Sequence, residues 1–576
     1  MPLRPLLAAA FSLVLSGQTT QYRQWMGGRE VGGAEDVVES AEGVKTIRHR
    51  EWVKLDRFGM EIRQDLAQTA TKATDGSIAY TWSVKLSDMP LEGTASWSLS
   101  RPGTLSVLPS GGAAQAVAVP QGAILWPEDE DAALMKAAKS QTPLRFSSYS
   151  FPTATWALRD LKPAGLDPLP GFPDAMKFTG TDTEGGASAP VELWASPTAG
   201  ELKEHSQLGG LDLWLQRAEL PPPGGPEQTG LFDRSVQPLS PDPFRAWRPS
   251  VRARYEGGTA PDLPDTAQQK KTASATWTLN RAQLPNADEA AEMPVQGAPT
   301  PADARYLAAT PLLQFNDPAF TGLLARMRPQ PGLSRWQLAQ AVTDFVFTFI
   351  REKDYSVGFA SALEVCKNPK GDCTEHGVLA VALLRKLGVP ARGVLGWVAI
   401  DRMLGMHFWV EVELKGRWVP VDPTLDEAPA SAFHIALGST DLANLGSLGW
   451  DRLMTALDGG TFVTLDETAP ATAGNSVLAP DGTRLTWPGA KWTVEQGILL
   501  ATTPDHGVHI VKARTRPIEA ELKNARKLQG AHSRRNGWWD PKTRLLVMDL
   551  GHRRWLLVDR CAEAQAFMAL DALEVH

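Results

Sequence analysis

Cysteine is scarce in this 576-residue chain, with three residues at positions 366, 373 and 561. So few thiols exclude a disulfide-stapled scaffold. No Cys-x-x-Cys pair occurs and the 10 histidines are scattered, so neither metal nor cofactor is expected. Charge of one sign is also scant. A net charge of −7 over this length gives no basic footprint for nucleic acid and no attraction to an anionic membrane. Long apolar runs are missing as well. The best candidate, Leu6 to Leu15, falls short of the roughly 20 residues that span a bilayer, so no integral membrane span is expected. No internal repeat is discernible. What the chain does have is a hydrophobic fraction of 43%, ample for large cores. At about 150 residues per domain, its length suggests roughly four domains.

Arg4, the apolar run Leu6 to Leu15, and small Ser16 and Gly17 have the layout of a secretory signal peptide over residues 1–18. Without a cysteine just after it, a lipoprotein anchor is not expected. The implied address is export, to a periplasm or beyond.

Residues 19–285 read as β-rich, in one or two domains. Alternating segments at Thr46–Leu55, Ser77–Leu86, Val191–Trp194 and Leu211–Leu215 are separated by turn residues. A helix is expected around Glu128–Lys139, and Pro221–Pro226 marks a loop within 221–230. Val191-Glu-Leu-Trp194 and Leu211-Asp-Leu-Trp214 suggest neighbouring strands with aromatic faces. A polar linker, 286–302, leads to a unit at 303–465. In that unit Ser334 and Gln337 form a capping box for a helix to Glu352, and Leu333 can staple to Leu338. A second linker, 466–480, precedes a small α+β unit at 481–576. Its expected helices lie over Pro517–Leu528 and from Ala562, with strands near Arg484, Gly497, Val508, Arg544 and Arg553.

The chemistry concentrates in the third unit. Asp372 can cap a helix with Glu375 at N3, placing Cys373 at N1. There, unpaired amides and the positive end of the helix dipole favour a thiolate. Val378 to Leu387 is apolar around most of the helix, which predicts burial, and Gly388 and Pro390 end it. Further on, Phe408, Val410, Val412 and Leu414 alternate with His407, and Val419 and Val421 precede Asp422. A two-residue turn at Lys415-Gly416 would pair Val412 with Val419 and Val410 with Val421. Asp422 then faces Trp409, with His407 as its diagonal neighbour, about 7–8 Å away at Cβ. A thiol, an imidazole and a carboxylate so placed can act as nucleophile, base and orienter. His376, one turn into the helix, is an alternative base. Asp422, Asp426 and Glu427 read as a solvated loop rather than a calcium site. Candidate oxyanion donors are the Cys373 amide and the Asn368 side chain. A Cys366–Cys561 bridge would join two units; a Cys366–Cys373 bridge would silence the thiol.

The motifs Gly371-Asp-Cys-Thr-Glu-His376, Gly388-Val-Pro-Ala-Arg392, His407-Phe-Trp-Val-Glu-Val412 and Trp418-Val-Pro-Val-Asp-Pro-Thr424 resemble the transglutaminase-like superfamily. The resemblance covers roughly residues 300–440. It implies a papain-like α+β fold with Cys373 on a helix and His407 and Asp422 on adjacent strands as a catalytic triad. It also implies a protein or peptide substrate, attacked at an amide bond through a thioester. Such families include cross-linking enzymes, peptidases, amidases and inactive scaffolds. Hydrolysis is the favoured expectation, and a non-catalytic envelope scaffold is the alternative.

Overall fold

The computed structural model describes residues 19–575 apart from short internal stretches, the longest at 229–235, 446–459, 465–470 and 515–523. The expected signal peptide, residues 1–18, lies outside the described residues. Among those described, no helix is long and apolar enough to cross a membrane.

Fourteen strands between Thr19 and Arg217 form one antiparallel sheet. The first strand, Thr19–Met26, pairs with both the second, Arg29–Ala41, and the last, Leu211–Arg217. Alternation builds these strands: in Ile78–Lys85 the residues Ile78, Tyr80, Trp82 and Val84 are buried and their neighbours more exposed. The expected helix is present as Pro127–Ser140, and its Leu134, Ala137 and Ala138 pack on Leu161, Phe178 and Leu193 of the sheet.

One expectation fails here. Trp194 and Trp214 are not on neighbouring strands, because Gly200–Leu208 runs between them. Next-but-one strands lie about 10 Å apart, and the two indoles close that gap to 6.1 Å between rings. The Lys203 ammonium stands over both rings, at 5.1 and 4.2 Å.

Residues 236–280 do not follow that sheet. Val236–Pro238 pairs with residues 403–405, and Ser250–Glu256, Gln269–Ala273 and Thr276–Asn280 form a sheet with Thr461–Thr464. The Gln269 side-chain amide bonds both the N–H and the carbonyl of Ala436, each at 2.9 Å. A division at residue 285 therefore does not follow the strand pairing. The expected linker 286–302 holds a short helix, Ala287–Ala290, and the start of Pro301–Leu307. It works as a strap: Glu289 pairs with Arg417 at 2.6 Å and Glu292 accepts the Lys415 amide at 2.6 Å.

The central unit is built on α1 (Arg335–Phe349), α2 (Cys373–Lys386), β1 (Ala391–Ile400), β2 (Met403–Leu414), β3 (Arg417–Val421) and β4 (His434–Thr440). Helix α1 starts at the expected Ser334–Gln337 capping box and ends at Phe349, short of Glu352. Strand β2 pairs with β1 on one side and β3 on the other, and β4 adds to the far side of β1. Val412 faces Val419 and Val410 faces Val421, as the alternation requires. Lys415 and Gly416 both take positive φ, 50° and 82°, the geometry of a type I′ turn.

Every residue of α2 from Glu375 to Arg385 is buried. The helix meets β2 where Gly377 lies on Phe408; a Cβ at Gly377 would come within 2.3 Å of that ring. One continuous core joins this unit to the large sheet, and the Gly358 amide donates to Leu86 O at 3.1 Å across the junction.

The C-terminal region is mostly β, with a seven-stranded and a four-stranded sheet. Its helix Glu563–Ala572 begins after Ala562 as expected. The strands near Arg484, Val508, Arg544 and Arg553 are present as Arg484–Thr486, Val508–Arg514, Leu545–Asp549 and Trp555–Val558. Residues 517–523 of the other expected helix lie outside the described residues, and Arg526–Gln529 is a strand paired with Asn536–Asp540. Cross-strand pairing, with Leu528 turned into the core, overrides local helix propensity there. The expected second linker contains a hairpin, Ala471–Ala473 with Ser476–Leu478. Trp487, Trp492, Trp539 and Cys561 share this region's core. Cys366 packs against the central core instead, and all three cysteines are thiols, so the Cys366–Cys561 and Cys366–Cys373 bridges are not formed.

Candidate active site

The N-terminus of α2 is set by its own first turn. Asp372 Oδ1 accepts the Thr374 amide at 2.9 Å, and Glu375 Oε2 accepts the Asp372 amide at 2.8 Å, which is the expected capping box. Such a cap contributes about 1 kcal/mol. It fixes Cys373 as the first helical residue, where it is half-buried, whereas Cys561 is fully buried. Glu375 Oε1 also accepts the Ala360 amide at 3.0 Å, tying the helix start to the loop before it. Burial, then the nearby Asp372, push the Glu375 carboxyl up to about 8. Burial pushes the Cys366 thiol up, as befits a packing residue.

His376, the alternative base, is buried with Nδ1 donating to the Asp372 carbonyl at 2.6 Å. Its ring is thereby held against its own helix. Asn368 is an exposed residue at the C-terminal end of the helix Ala362–Lys367.

The Asp422 carboxylate meets His407. His407 Nε2 lies 2.7 Å from Asp422 Oδ2, and Asp422 is fully buried. An ionised carboxylate only accepts, so Nε2 carries the proton and Nδ1 is left as the basic nitrogen. Asp422 accepts three further bonds. Oδ1 takes the Thr424 and Leu425 amides at 2.8 and 3.1 Å, and Oδ2 takes His434 Nε2 at 2.9 Å. Burial alone would raise the Asp422 pKa, but the attraction and hydrogen bonds of His407 and His434 outweigh it and hold the carboxyl far below its usual range.

Two features here depart from the sequence reading. The loop with Asp426 and Glu427 is buried, not solvated: Asp422 and Glu427 exchange backbone hydrogen bonds, and Glu427 Oε2 accepts the Ser431 amide. His434 was not foreseen at all. The one available signal was alternation, since Ile435 and Leu437 are buried and His434 takes the opposite face of β4.

Trp409 packs beside both imidazoles, at ring distances of 6.2 Å from His407 and 5.1 Å from His434. It fits because Gly396, opposite both His407 and Ala436, has no side chain. A Cβ there would lie 2.9 Å from the indole and 2.0 Å from Ile435 O.

The ligand atoms of His407, Asp422 and His434 lie within 4.8 Å of one another, a set that could in principle hold a metal ion. Ligands around a tetrahedral ion stand about 3.3 Å apart. Here both imidazoles approach the carboxylate more closely, with N–H groups aimed at it, and the set is a hydrogen-bonded one.

Residues 326–423 match the family model of the transglutaminase-like superfamily. That stretch contains Cys373, His407 and Asp422 and stops before His434. No curated protein matches the chain. Two solved structures are similar to parts of it. A β-barrel-like protein with a domain of unknown function from Brucella abortus is 12% identical, covering 35% of this chain and 95% of its own length, with a TM-score of 0.28. A protein from Cytophaga hutchinsonii described as a putative cysteine protease is 14% identical, covering 39% and 82%, with a TM-score of 0.24.

Proposed function

We propose that this chain, which carries a transglutaminase-like domain, is an exported cysteine enzyme acting on amide bonds of protein or peptide. The observation that supports it best is the buried 2.7 Å bond between His407 and Asp422, which selects the tautomer with a basic Nδ1. Cys373, on the helix packed against the strand of His407, is the nucleophile in this reading.

Its thiol proton passes to His407 Nδ1, and sulfur attacks the amide carbonyl carbon. The tetrahedral intermediate collapses as His407 returns the proton to the departing amine, leaving a thioester. Water, deprotonated by His407, attacks the thioester to give the acid and restore the thiol. A primary amine in place of water would give a cross-link. Hydrolysis is the favoured outcome, because water needs no acceptor site of its own.

Iodoacetamide kinetics on the full chain test this reading. Cys373 is expected to label faster than a thiol in the unfolded protein, and His407→Ala is expected to abolish the difference. If Cys373 labels no faster than an unfolded thiol, the domain is a scaffold instead. Comparing cleaved and cross-linked envelope proteins between the wild type and Cys373→Ala separates hydrolysis from cross-linking. Cell fractionation with the mass of the mature N-terminus tests export.

A further inference from the structure

We propose that His434 is a positioning residue for the base: by sharing Asp422 Oδ2 with His407, it fixes that oxygen in place and divides its charge between two imidazoles. The proposal rests on the reading of Cys373, His407 and Asp422 as a catalytic set.

Geometry comes first. Asp422 Oδ1 is pinned by two backbone amides of its own turn, so the carboxylate cannot rotate freely. Oδ2 then receives Nε2–H from both histidines, at 2.7 and 2.9 Å, with the imidazoles 6.1 Å apart and inclined at 61°. A carboxylate oxygen has two lone pairs, and here both are engaged. His434 is itself held firmly. Its backbone pairs with Val398 of β1, and Nδ1 lies 3.2 Å from both Ser431 O and Ser431 Oγ.

That arrangement serves two charge states. Nδ1–H can donate to the Ser431 carbonyl, making an imidazolium, or Nδ1 can accept the Ser431 hydroxyl, leaving a neutral ring. The ionisable groups facing His434 are Asp422, His407 and Glu427. Burial would favour the neutral ring, but the hydrogen bond and attraction of Asp422 and the charge of Glu427 outweigh it and raise the pKa. A charged His434 offsets part of the negative charge that His407 feels. His407 is then a weaker base than one facing an unshared carboxylate, and its orienting oxygen is better fixed.

The test is the pH profile of Cys373 alkylation, from pH 4 to 10, in the full-length wild type, His434→Gln and His434→Phe. Glutamine can point an amide N–H at Oδ2 without carrying charge. It is expected to keep the plateau rate within about 3-fold and to move the alkaline limb up by about half a pH unit or more. Phenylalanine supplies no donor, and its plateau is expected to fall about tenfold or more. Wild-type profiles in both variants would overturn the proposal. So would equal losses of plateau with unmoved limbs, the mark of a merely structural histidine. Should the phenylalanine variant fail to fold, as judged by circular dichroism, the limb shift in the glutamine variant decides. His407→Ala in the same assay separates the two claims. If His407→Ala leaves alkylation unchanged, the catalytic reading fails and His434 with it; if only the His434 variants are silent, the proposal alone fails.

Discussion

Two of the buried charge clusters among the described residues differ in an instructive way. In the large sheet, Arg159 is enclosed by Asp182 at 2.8 Å, Glu204 at 2.7 Å and Glu201 at 3.5 Å, one cation among three carboxylates. In the central unit, Asp422 is enclosed by His407 and His434, one anion between two imidazoles. Both central charges are held by several partners at once. Arginine does not exchange its proton near neutrality, so the first cluster can only hold strands together. Imidazole does exchange, so the second can move protons. Burial is common to both; the titration range of the partners separates structure from chemistry.

The sharpest way to break this contrast is to neutralise each centre. Asp422→Asn keeps shape but loses charge and tautomer control, and the Cys373 alkylation rate is expected to fall by about 10³-fold or more. Arg159→Met should leave that rate within about 2-fold. It strands three buried carboxylates, and urea unfolding should show a loss of about 3–5 kcal/mol. A large rate loss in Arg159→Met would erase the distinction.

A third buried cluster, in the sheet and separate from Arg159, sets an imidazole among carboxylates, and its pH response opposes that of Asp422. His49 in the sheet is fully buried, 2.7 Å from Asp36. Burial would lower its pKa, but the attraction and hydrogen bond of Asp36 override this and raise it to about 9. Burial, above all, lifts the Glu51 carboxyl from 4.5 to about 7. Both groups bind protons more tightly in the folded state. Their contribution is therefore greatest at low pH, declines from about 4.5 and is lost as the pH passes about 9. Asp422 has the opposite sign: its lowered pKa stabilises the fold above 3.8 and that stability is lost as the pH falls further. Hydrogen exchange should show protection falling in residues 29–57 between pH 6.5 and 9, and in residues 407–434 between pH 5 and 3.

The smallest effect is expected at the strap. Glu289→Ala removes a partly exposed ion pair to Arg417, so unfolding should shift by at most about 1 kcal/mol, with no change in alkylation.

These regions were unequally legible in the sequence. The helix cap at Asp372–Glu375 and the register of β2 with β3 could be read because each depends on residues within a turn or a tight hairpin. The strap at 286–302 has the composition of a linker, which does not reveal that Glu289 and Glu292 meet the Lys415–Arg417 turn. The strand that separates Trp194 from Trp214 is not legible, because alternation specifies a face and not the order of strands. The burial of the loop at Asp426 and Glu427 is hidden for a similar reason: Glu427 meets a partner that only the fold supplies, the Ser431 amide.

The sequence by itself determined that Cys373 begins a capped, buried helix and that Val410 and Val412 face Val421 and Val419. Short-range hydrogen bonds and a two-residue turn decide those matters locally. Only the tertiary structure decided that residues 236–280 pair with strands of the central unit and that Asp422 serves two histidines. Strand β4 is separated from β3, which leads into Asp422, by β1 and β2 in the sheet and by a twelve-residue connection, 422–433, in the chain, and nothing in a local pattern encodes which distant strand a residue will lie beside.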